Sequence, residues 1–174
     1  MENKYSLYLG DCLEVMKNIP DNSVDMVLCD LPYGMTACKW DCVIPFGELW
    51  SAYKRICKKD AAIVLFGSQP FTSALVMSNP KIYKHNWVWQ KNRGSNFACV
   101  KYQPMREHED VLVFCYGKPV YNPIMQERAE SGRDRVKYKM QFNTKTQVYG
   151  DGFSNFYTKK NEQPSLSIIG TKIQ

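Results

Sequence analysis

Residues 24–34 read Val24-Asp25-Met26-Val27-Leu28-Cys29, followed directly by Asp30-Leu31-Pro32-Tyr33-Gly34. The apolar run, bounded by Ser23 and by Pro-Tyr-Gly, is typical of a buried strand. Pro32 ends that strand because it has no N–H to donate and fixes its own φ. An acid, a rigid turn and an aromatic ring therefore stand together at the carboxyl end of a strand, where open α/β sheets bind ligands. A bare motif of this kind is more often an ordinary strand exit with an aspartate cap.

Hydrophobic periodicity predicts an alternation of strands and helices up to residue 116. The predicted strands span 5–9, 23–30, 61–66, 83–90 and 110–116, and the predicted helices span 13–19, 46–58 and 70–77. Such alternation predicts a parallel or mixed sheet covered on both faces. Residues 118–174 are polar and lack clear periodicity, so we expect a folded core over 1–117, which the resemblance given below makes the catalytic part, and a loop-rich recognition segment or tail over 118–174.

The charge of the chain lies in its second half. Residues 1–90 contain nine basic and nine acidic residues, whereas residues 91–174 contain fourteen basic and eight acidic ones. A basic half beside a neutral one is the pattern of a core with a polyanion-binding surface, although on charge alone a solvated face rich in lysine is the better interpretation. Cations and amides interleaved with aromatic residues mark the candidates for DNA contact, which are Lys91, Arg93, Asn96, Lys101 and Arg106.

Cysteine usage and hydropathy argue against a secreted disulfide-rich protein, a zinc protein and a membrane protein. The seven scattered cysteines are predicted to be reduced thiols. No metal site is expected, because Cys38 and Cys42 have no second pair nearby. No apolar stretch approaches the ~20 residues that cross a bilayer, and Glu2 and Asp11 interrupt any signal peptide. We therefore expect a cytoplasmic protein without a membrane partner.

Several segments together carry a family resemblance. They are LYLGDCLEVMKNIPDNSVDMVLCDLPYG (7–34), KWD (39–41), IVLFGSQPF (63–71) and WQKNRGSNF (89–97). Over roughly residues 5–123 the chain resembles the amino-methyltransferases of DNA, which methylate adenine N6 or cytosine N4. It is most similar to adenine-methylating members found in phages and mobile elements. Leu31 stands where the family's (D/N/S)-P-P-(Y/F) motif has its first proline. The family uses the backbone carbonyl of that residue, which leucine also supplies.

The resemblance implies a Rossmann-like fold that uses S-adenosylmethionine as cofactor and double-stranded DNA as substrate. It implies catalytic roles for Asp30, Leu31, Pro32 and Tyr33, acting on a base flipped out of the duplex. Cofactor contacts fall on Asp11, Cys12, Asp30 and Leu31. Asp11 is also a candidate N-cap for the helix that follows, and one aspartate can do both.

Two parts of the family pattern are missing. Neither the family's cofactor loop, F-x-G-x-G, nor its H-P-x-(Q)-K-P segment occurs in the 174 residues. The methyltransferase fold is therefore expected to be incomplete and its sheet open at one edge, which predicts a homodimer or a complementing second polypeptide. The alternative is an inactive, truncated DNA-binding remnant of such an enzyme. A third, less favoured interpretation is an RNA or protein methyltransferase.

Overall fold

The computed structural model describes residues 5–122, 124–127, 162–164 and 168–170. The chain divides into two compact units, one of residues 1–120 with 167–174 and one of residues 121–166. The helices are α1 (Cys12–Met16), α2 (Phe46–Ile56) and α3 (Phe71–Ser78). The strands are β1 (Val24–Asp30), β2 (Cys57–Gly67), β3 (Tyr83–Ser95), β4 (Arg106–Phe114), β5 (Met125–Glu127), β6 (Glu162–Pro164) and β7 (Ile168–Gly170). A 3-10 turn spans Phe97–Cys99.

The first unit contains a five-stranded mixed sheet in the order β1-β2-β4-β3-β7. β1 pairs with β2 in parallel, β4 runs antiparallel to both β2 and β3, and β7 is parallel to β3. The prediction of a mixed sheet is confirmed, and four of the five predicted strands form. β2 and β3 extend beyond their predicted limits, and β7 was not predicted.

The three described helices pack on one face of this sheet. Leu49 and Tyr53 of α2 and Leu75 of α3 lie against Ile63 and Leu65 of β2 in the main hydrophobic core. Each fully buried side chain of this kind contributes roughly 1.5–3 kcal/mol to folding. The helical spacing predicted for residues 46–58 therefore corresponds to the buried face of α2.

The opposite face of the sheet has a smaller cluster. Val64, Val111 and Val113 are buried there beneath Trp87 and Trp89. Within the described residues no helix contributes to this cluster. The prediction that helices cover both faces is therefore wrong for the described part of the chain. β1, at the sheet edge, leaves Met26 and Leu28 exposed on alternate positions, so this strand is buried on one face rather than two.

The strand predicted for residues 5–9 does not form. Tyr5–Leu9 is irregular, and Tyr5, Leu7, Tyr8 and Leu9 are exposed. A strand needs a neighbour to satisfy its backbone N–H and C=O groups, and among the described strands β1 pairs only with β2. The apolar side chains of residues 5–9 led to the prediction of a strand, but no neighbouring described strand is available to pair with this segment.

In the second unit, β5 and β6 form a two-stranded antiparallel ladder that pairs Gln126 with Gln163. The sequence predicts a recognition segment or tail over residues 118–174. Residues 128–161, most of that segment, lie outside the described residues. In the described part of the chain no helix is long and apolar enough to cross a bilayer. The same residues contain no cluster of three potential metal ligands.

Candidate active site

Asp30 is the last residue of β1, and its side chain is exposed. It lies opposite Phe66 in the parallel β1–β2 pairing, so the two strands end at the same edge of the sheet. After β2 the chain turns through Ser68, Gln69 and Pro70 into α3. The site is therefore framed by the exit of β1 and the corner between β2 and α3.

Tyr33 lies directly against the carboxylate of Asp30. Its hydroxyl donates a hydrogen bond of 2.7 Å to Asp30 Oδ1. Its ring packs against Phe71 with centroids 4.9 Å apart and planes inclined by 32°. Burial raises the pKa of the Tyr33 hydroxyl, and the bond to Asp30 raises it further. The phenol therefore stays protonated and holds one oxygen of the carboxylate.

Leu31 and Pro32 connect these two groups. The Leu31 side chain is only 5% exposed and belongs to the main core. Its burial gives a physical reason for leucine at the position where the sequence motif has proline. The side chain anchors the end of β1 while its backbone carbonyl is kept. Pro32, half-buried, then fixes the direction of the chain toward Tyr33.

The loop after Tyr33 is tied to one buried carboxylate. Asp41 Oδ1 accepts a hydrogen bond from the N–H of Gly34 at 2.8 Å. Asp41 Oδ2 accepts from the N–H of Met35 at 2.9 Å and of Thr36 at 2.7 Å. Hydrogen bonding from the Thr36 hydroxyl, then from these backbone groups, lowers the pKa of Asp41 to about 2. The carboxylate is therefore ionised at neutral pH.

Asp11 caps helix α1. Its Oδ1 accepts from the N–H of Leu13 at 2.8 Å and from that of Glu14 at 3.4 Å. The predicted capping role is confirmed, and the predicted cofactor role stays a prediction. Cys12 follows it, exposed, and its charge contributes to the raised pKa of Cys29, after the larger effect of burial. Cys29 precedes Asp30, so the structure brings Cys12 into electrostatic range of the exit of β1.

Two of the five candidate DNA-binding residues are engaged inside the chain. Lys91 forms a half-buried ion pair with Glu109 and lies 5.8 Å from the ring centroid of Trp89. The Arg106 guanidinium donates to the hydroxyl of Ser68 and, at 3.3 Å, to the carbonyl of Gln69. Both cations therefore hold β3, β4 and the β2–α3 corner together.

The other three candidates are exposed. Arg93 lies near the end of β3, Asn96 has a left-handed backbone (φ 67°), and Lys101 follows the 3-10 turn. Phe97 and Tyr102 beside them are 78% and 90% exposed. This exposed segment, residues 93–102, combines cations with aromatic rings, the combination that suits contact with nucleic acid.

Sequence reasoning missed three contributors to the site: Asp41, Phe71 and the Arg106–Ser68 contact. A single acid that closes a loop beginning with glycine is a weak signal of a side-chain cap on backbone N–H groups. Arg106 and Ser68 are 38 residues apart, and no local pattern joins them. Such contacts emerge only once β2 and β4 are paired.

Comparison with known proteins shows that the fold of this chain is similar to that of several solved structures. No family model matches the sequence. The solved structure of the M1.HpyAVI–SAM complex aligns with a TM-score of 0.52 at 20% identity, covering 70% of this chain and 62% of that chain. PvuII DNA methyltransferase (cytosine-N4-specific) aligns at 0.46 and 12% identity, covering 75% and 61%. TTHA0409 of Thermus thermophilus, complexed with S-adenosyl-L-methionine, aligns at 0.45 and 19% identity, covering 73% and 59%.

The chain thus spans about three-fifths of the length of these solved structures. The likeness to M1.HpyAVI confirms the predicted fold class, an α/β fold of the S-adenosylmethionine-dependent methyltransferase type, of which this chain forms a part.

Proposed function

We propose that this chain carries the catalytic part of a DNA methyltransferase that transfers a methyl group from S-adenosylmethionine to adenine N6. The observation that carries the proposal is the exposed carboxylate of Asp30 at the end of β1, directly before the backbone carbonyl of Leu31. The methyltransferase fold supports the reaction class, and the sequence Asp30-Leu31-Pro32-Tyr33 supports an exocyclic amine as acceptor. Cytosine N4 offers the same two hydrogens; the sequence resemblance favours adenine.

The chemistry follows from two hydrogen-bond acceptors side by side. The N6 lone pair is delocalised into the ring, which makes the amine a poor nucleophile. Asp30 and the Leu31 carbonyl each accept one N6 hydrogen, so the lone pair is localised on nitrogen and the developing positive charge is stabilised. S-adenosylmethionine supplies, when bound, a methyl group on a sulfonium leaving group. The N–CH₃ bond would form as the S–CH₃ bond breaks, with the electron pair of that bond left on sulfur as the thioether S-adenosylhomocysteine. The methylated amine would then lose one proton to water.

Tyr33 has two tasks in this scheme. Its hydroxyl holds Asp30 Oδ1, which leaves Oδ2 to accept from the amine. One face of its ring lies on Phe71, and we assign the opposite face to the flipped base. Base stacking on an aromatic side chain is worth ~1–3 kcal/mol, of the order of the few kcal/mol that flipping costs.

The cofactor side of the site consists of Asp11, Cys12, Asp30 and Leu31. Both cap hydrogen bonds of Asp11 go to Oδ1, so Oδ2 is available to accept from the adenine amino group of the cofactor. These residues offer acceptors for one end of the cofactor. We assign its methionine end to a segment equivalent to F-x-G-x-G, which the 174 residues lack.

Double-stranded DNA would lie over the exposed segment 93–102. Arg93 and Lys101 would contact phosphates, and Asn96 would reach a base edge. Lys91 and Arg106 would position this segment through Glu109 and Ser68. We place the activity in the cytoplasm, where DNA and reduced thiols occur together.

One observation favours a second candidate, an inactive DNA-binding remnant: the 174 residues contain no F-x-G-x-G sequence. The exposed side chains of Met26 and Leu28 on the edge strand β1 instead suit a complementing polypeptide, with a homodimer as the alternative. The two candidates are distinguished by adding a polypeptide that supplies the F-x-G-x-G segment, because only the methyltransferase should then transfer methyl groups.

The test is transfer of tritiated methyl from S-adenosylmethionine to DNA, by the chain alone and with a polypeptide that supplies the F-x-G-x-G segment. Asp30→Ala should reduce transfer on the order of 10²–10³-fold, because one acceptor aimed at the developing charge is removed. Asp25→Ala is the matched control. Asp25 lies in the same strand, is exposed and pairs with Lys58.

Full activity of Asp30→Ala would refute the proposed catalytic role. DNA binding by the wild-type chain without methyl transfer in either setting would instead establish the remnant.

A further inference from the structure

Three consecutive backbone N–H groups converge on one carboxylate behind the candidate active site. Gly34, Met35 and Thr36 donate to Asp41 over distances of 2.7 to 2.9 Å. The Asp41 side chain is buried, at 8% exposure for the residue, in a loop whose other members from 34 to 40 are exposed. A buried carboxylate is stable only where such donors surround it.

These bonds begin at the residue after Tyr33, where the chain reverses. Gly34 has φ +68°, a conformation that favours glycine, and a Cβ there would meet Val43 Cγ2 at 3.0 Å. The backbone has little room to shift at this point. Asp41 is therefore placed to fix the direction in which the chain leaves Tyr33, and with it the position of the Tyr33 ring and hydroxyl.

We propose that Asp41 is a positioning residue, which holds Tyr33 against Phe71 and against Asp30 by fixing the backbone of Gly34, Met35 and Thr36. This role rests on the proposed function in one respect only: Tyr33, which Asp41 positions, is a residue that the proposed function assigns to methyl transfer. Asp41 touches neither substrate nor cofactor in this scheme.

Asp41→Asn is the sharpest test because it keeps size and shape. Asparagine has one acceptor oxygen, and its NH₂ group would face the N–H of Gly34 or those of Met35 and Thr36. Thr36→Ala is a milder variant, since it keeps the three backbone donors and removes the hydroxyl that supports Asp41 and accepts from the N–H of Cys38. Asp25→Asn is the control, because Asp25 lies in an exposed ion pair with Lys58.

The first readout does not depend on activity. Tyrosine-labelled NMR, with Tyr33 assigned through Tyr33→Phe, reports the Tyr33 ring, and amide exchange reports residues 34–36. In Asp41→Asn, exchange of these amides should accelerate on the order of 10-fold, the change expected when a hydrogen bond to a charged group is removed. The Tyr33 ring resonances should shift as its packing on Phe71 and its bond to Asp30 weaken. Both should stay unchanged in Asp25→Asn.

The second readout is methyl transfer, measured in the complemented setting if the chain is inactive alone. Displacement of a positioned group by ~1 Å costs on the order of 10²-fold, so kcat of Asp41→Asn should fall by ~10- to 100-fold while KM for DNA changes little. Thr36→Ala should move both readouts in the same direction by less.

An unchanged Tyr33 ring resonance in folded Asp41→Asn would overturn the positioning role. A shifted Tyr33 resonance with unchanged kcat would instead refute the role of Tyr33 in methyl transfer. Absence of methyl transfer by the wild type would refute the proposed function, and the Tyr33 readout would then decide the role of Asp41 by itself. If Asp41→Asn fails to fold, Thr36→Ala decides on the same criteria.

Discussion

Leu31 shows how a single residue can serve the core and the site at once. Its side chain belongs to the main core at 5% exposure, whereas its backbone carbonyl lies at the exit of β1 next to Asp30. A proline at this position would have no N–H and a restricted φ, but it would leave less apolar surface in the core. Compared with proline, leucine therefore leaves the backbone less restricted at this position but places a larger apolar side chain in the core.

Leu31→Ala should consequently lower the free energy of unfolding by about 2–5 kcal/mol, the range for buried leucines. Leu28→Ala is the matched control: Leu28 lies in β1 at 64% exposure, and its truncation should change stability by less than about 0.5 kcal/mol. Urea denaturation followed by circular dichroism measures both. Equal, small effects would mean that Leu31 does not anchor the strand exit.

At the scale of elements, the apolar runs of β1, β2 and β4 could be predicted because each strand buries consecutive or alternating residues. Residues 5–9 show the same alternation, yet Tyr5–Leu9 remains irregular, since a strand also needs a neighbour. The ends of β3 depend on its pairing with β4, which continues to Ser95 opposite Arg106. Asp30 at the strand exit could be predicted from the sequence. The contact of Arg106 with Ser68 could not, because it depends on the pairing of β2 with β4. The contacts of Asp41 are local, within residues 34–41, but no regular sequence pattern predicts a side chain that accepts from three backbone N–H groups.

The structure also divides the basic residues that composition treats alike. Arg93 and Lys101 form no ion pair with another described residue, whereas Lys91 pairs with Glu109 and Arg106 donates to Ser68. Alanine at either Arg93 or Lys101 should therefore reduce the log–log salt slope of duplex DNA binding by ~0.9 for each phosphate that is no longer neutralised.

Lys91→Ala and Arg106→Ala should instead leave that slope near the wild-type value and lower stability. Fluorescence anisotropy between about 50 and 200 mM salt, a range over which phosphate contacts dominate the change in affinity, measures the slope. A slope that falls for Lys91→Ala or Arg106→Ala, with Arg93→Ala and Lys101→Ala unaffected, would reverse the assignment.

For the whole molecule, the cofactor should bind weakly to the 174-residue chain. In the proposed site, Asp11, Asp30 and Leu31 would offer acceptors for only one side of S-adenosylmethionine, and the sequence lacks F-x-G-x-G. Several missing hydrogen bonds at ~0.5–1.5 kcal/mol each, with tenfold in affinity per ~1.4 kcal/mol, move a micromolar site toward millimolar. Isothermal calorimetry should show little heat at micromolar concentrations.

Addition of a polypeptide carrying the F-x-G-x-G segment should restore cofactor binding, and the Asp11→Ala variant should weaken the restored site. Tight, stoichiometric binding by the chain alone would contradict this expectation and would place a cofactor loop within residues 118–174.

The four tryptophans are distributed so that each part of the first unit carries its own optical reporter. Trp50 is 7% exposed in the helical layer, Trp87 and Trp89 lie on the opposite face of the sheet, and Trp40 is 74% exposed beside Asp41. Iodide or acrylamide should quench the emission of Trp40 first, because collision with a quencher requires access to the ring. With Trp40→Phe for subtraction, a cuvette experiment can follow this loop and the interior of the same molecule separately.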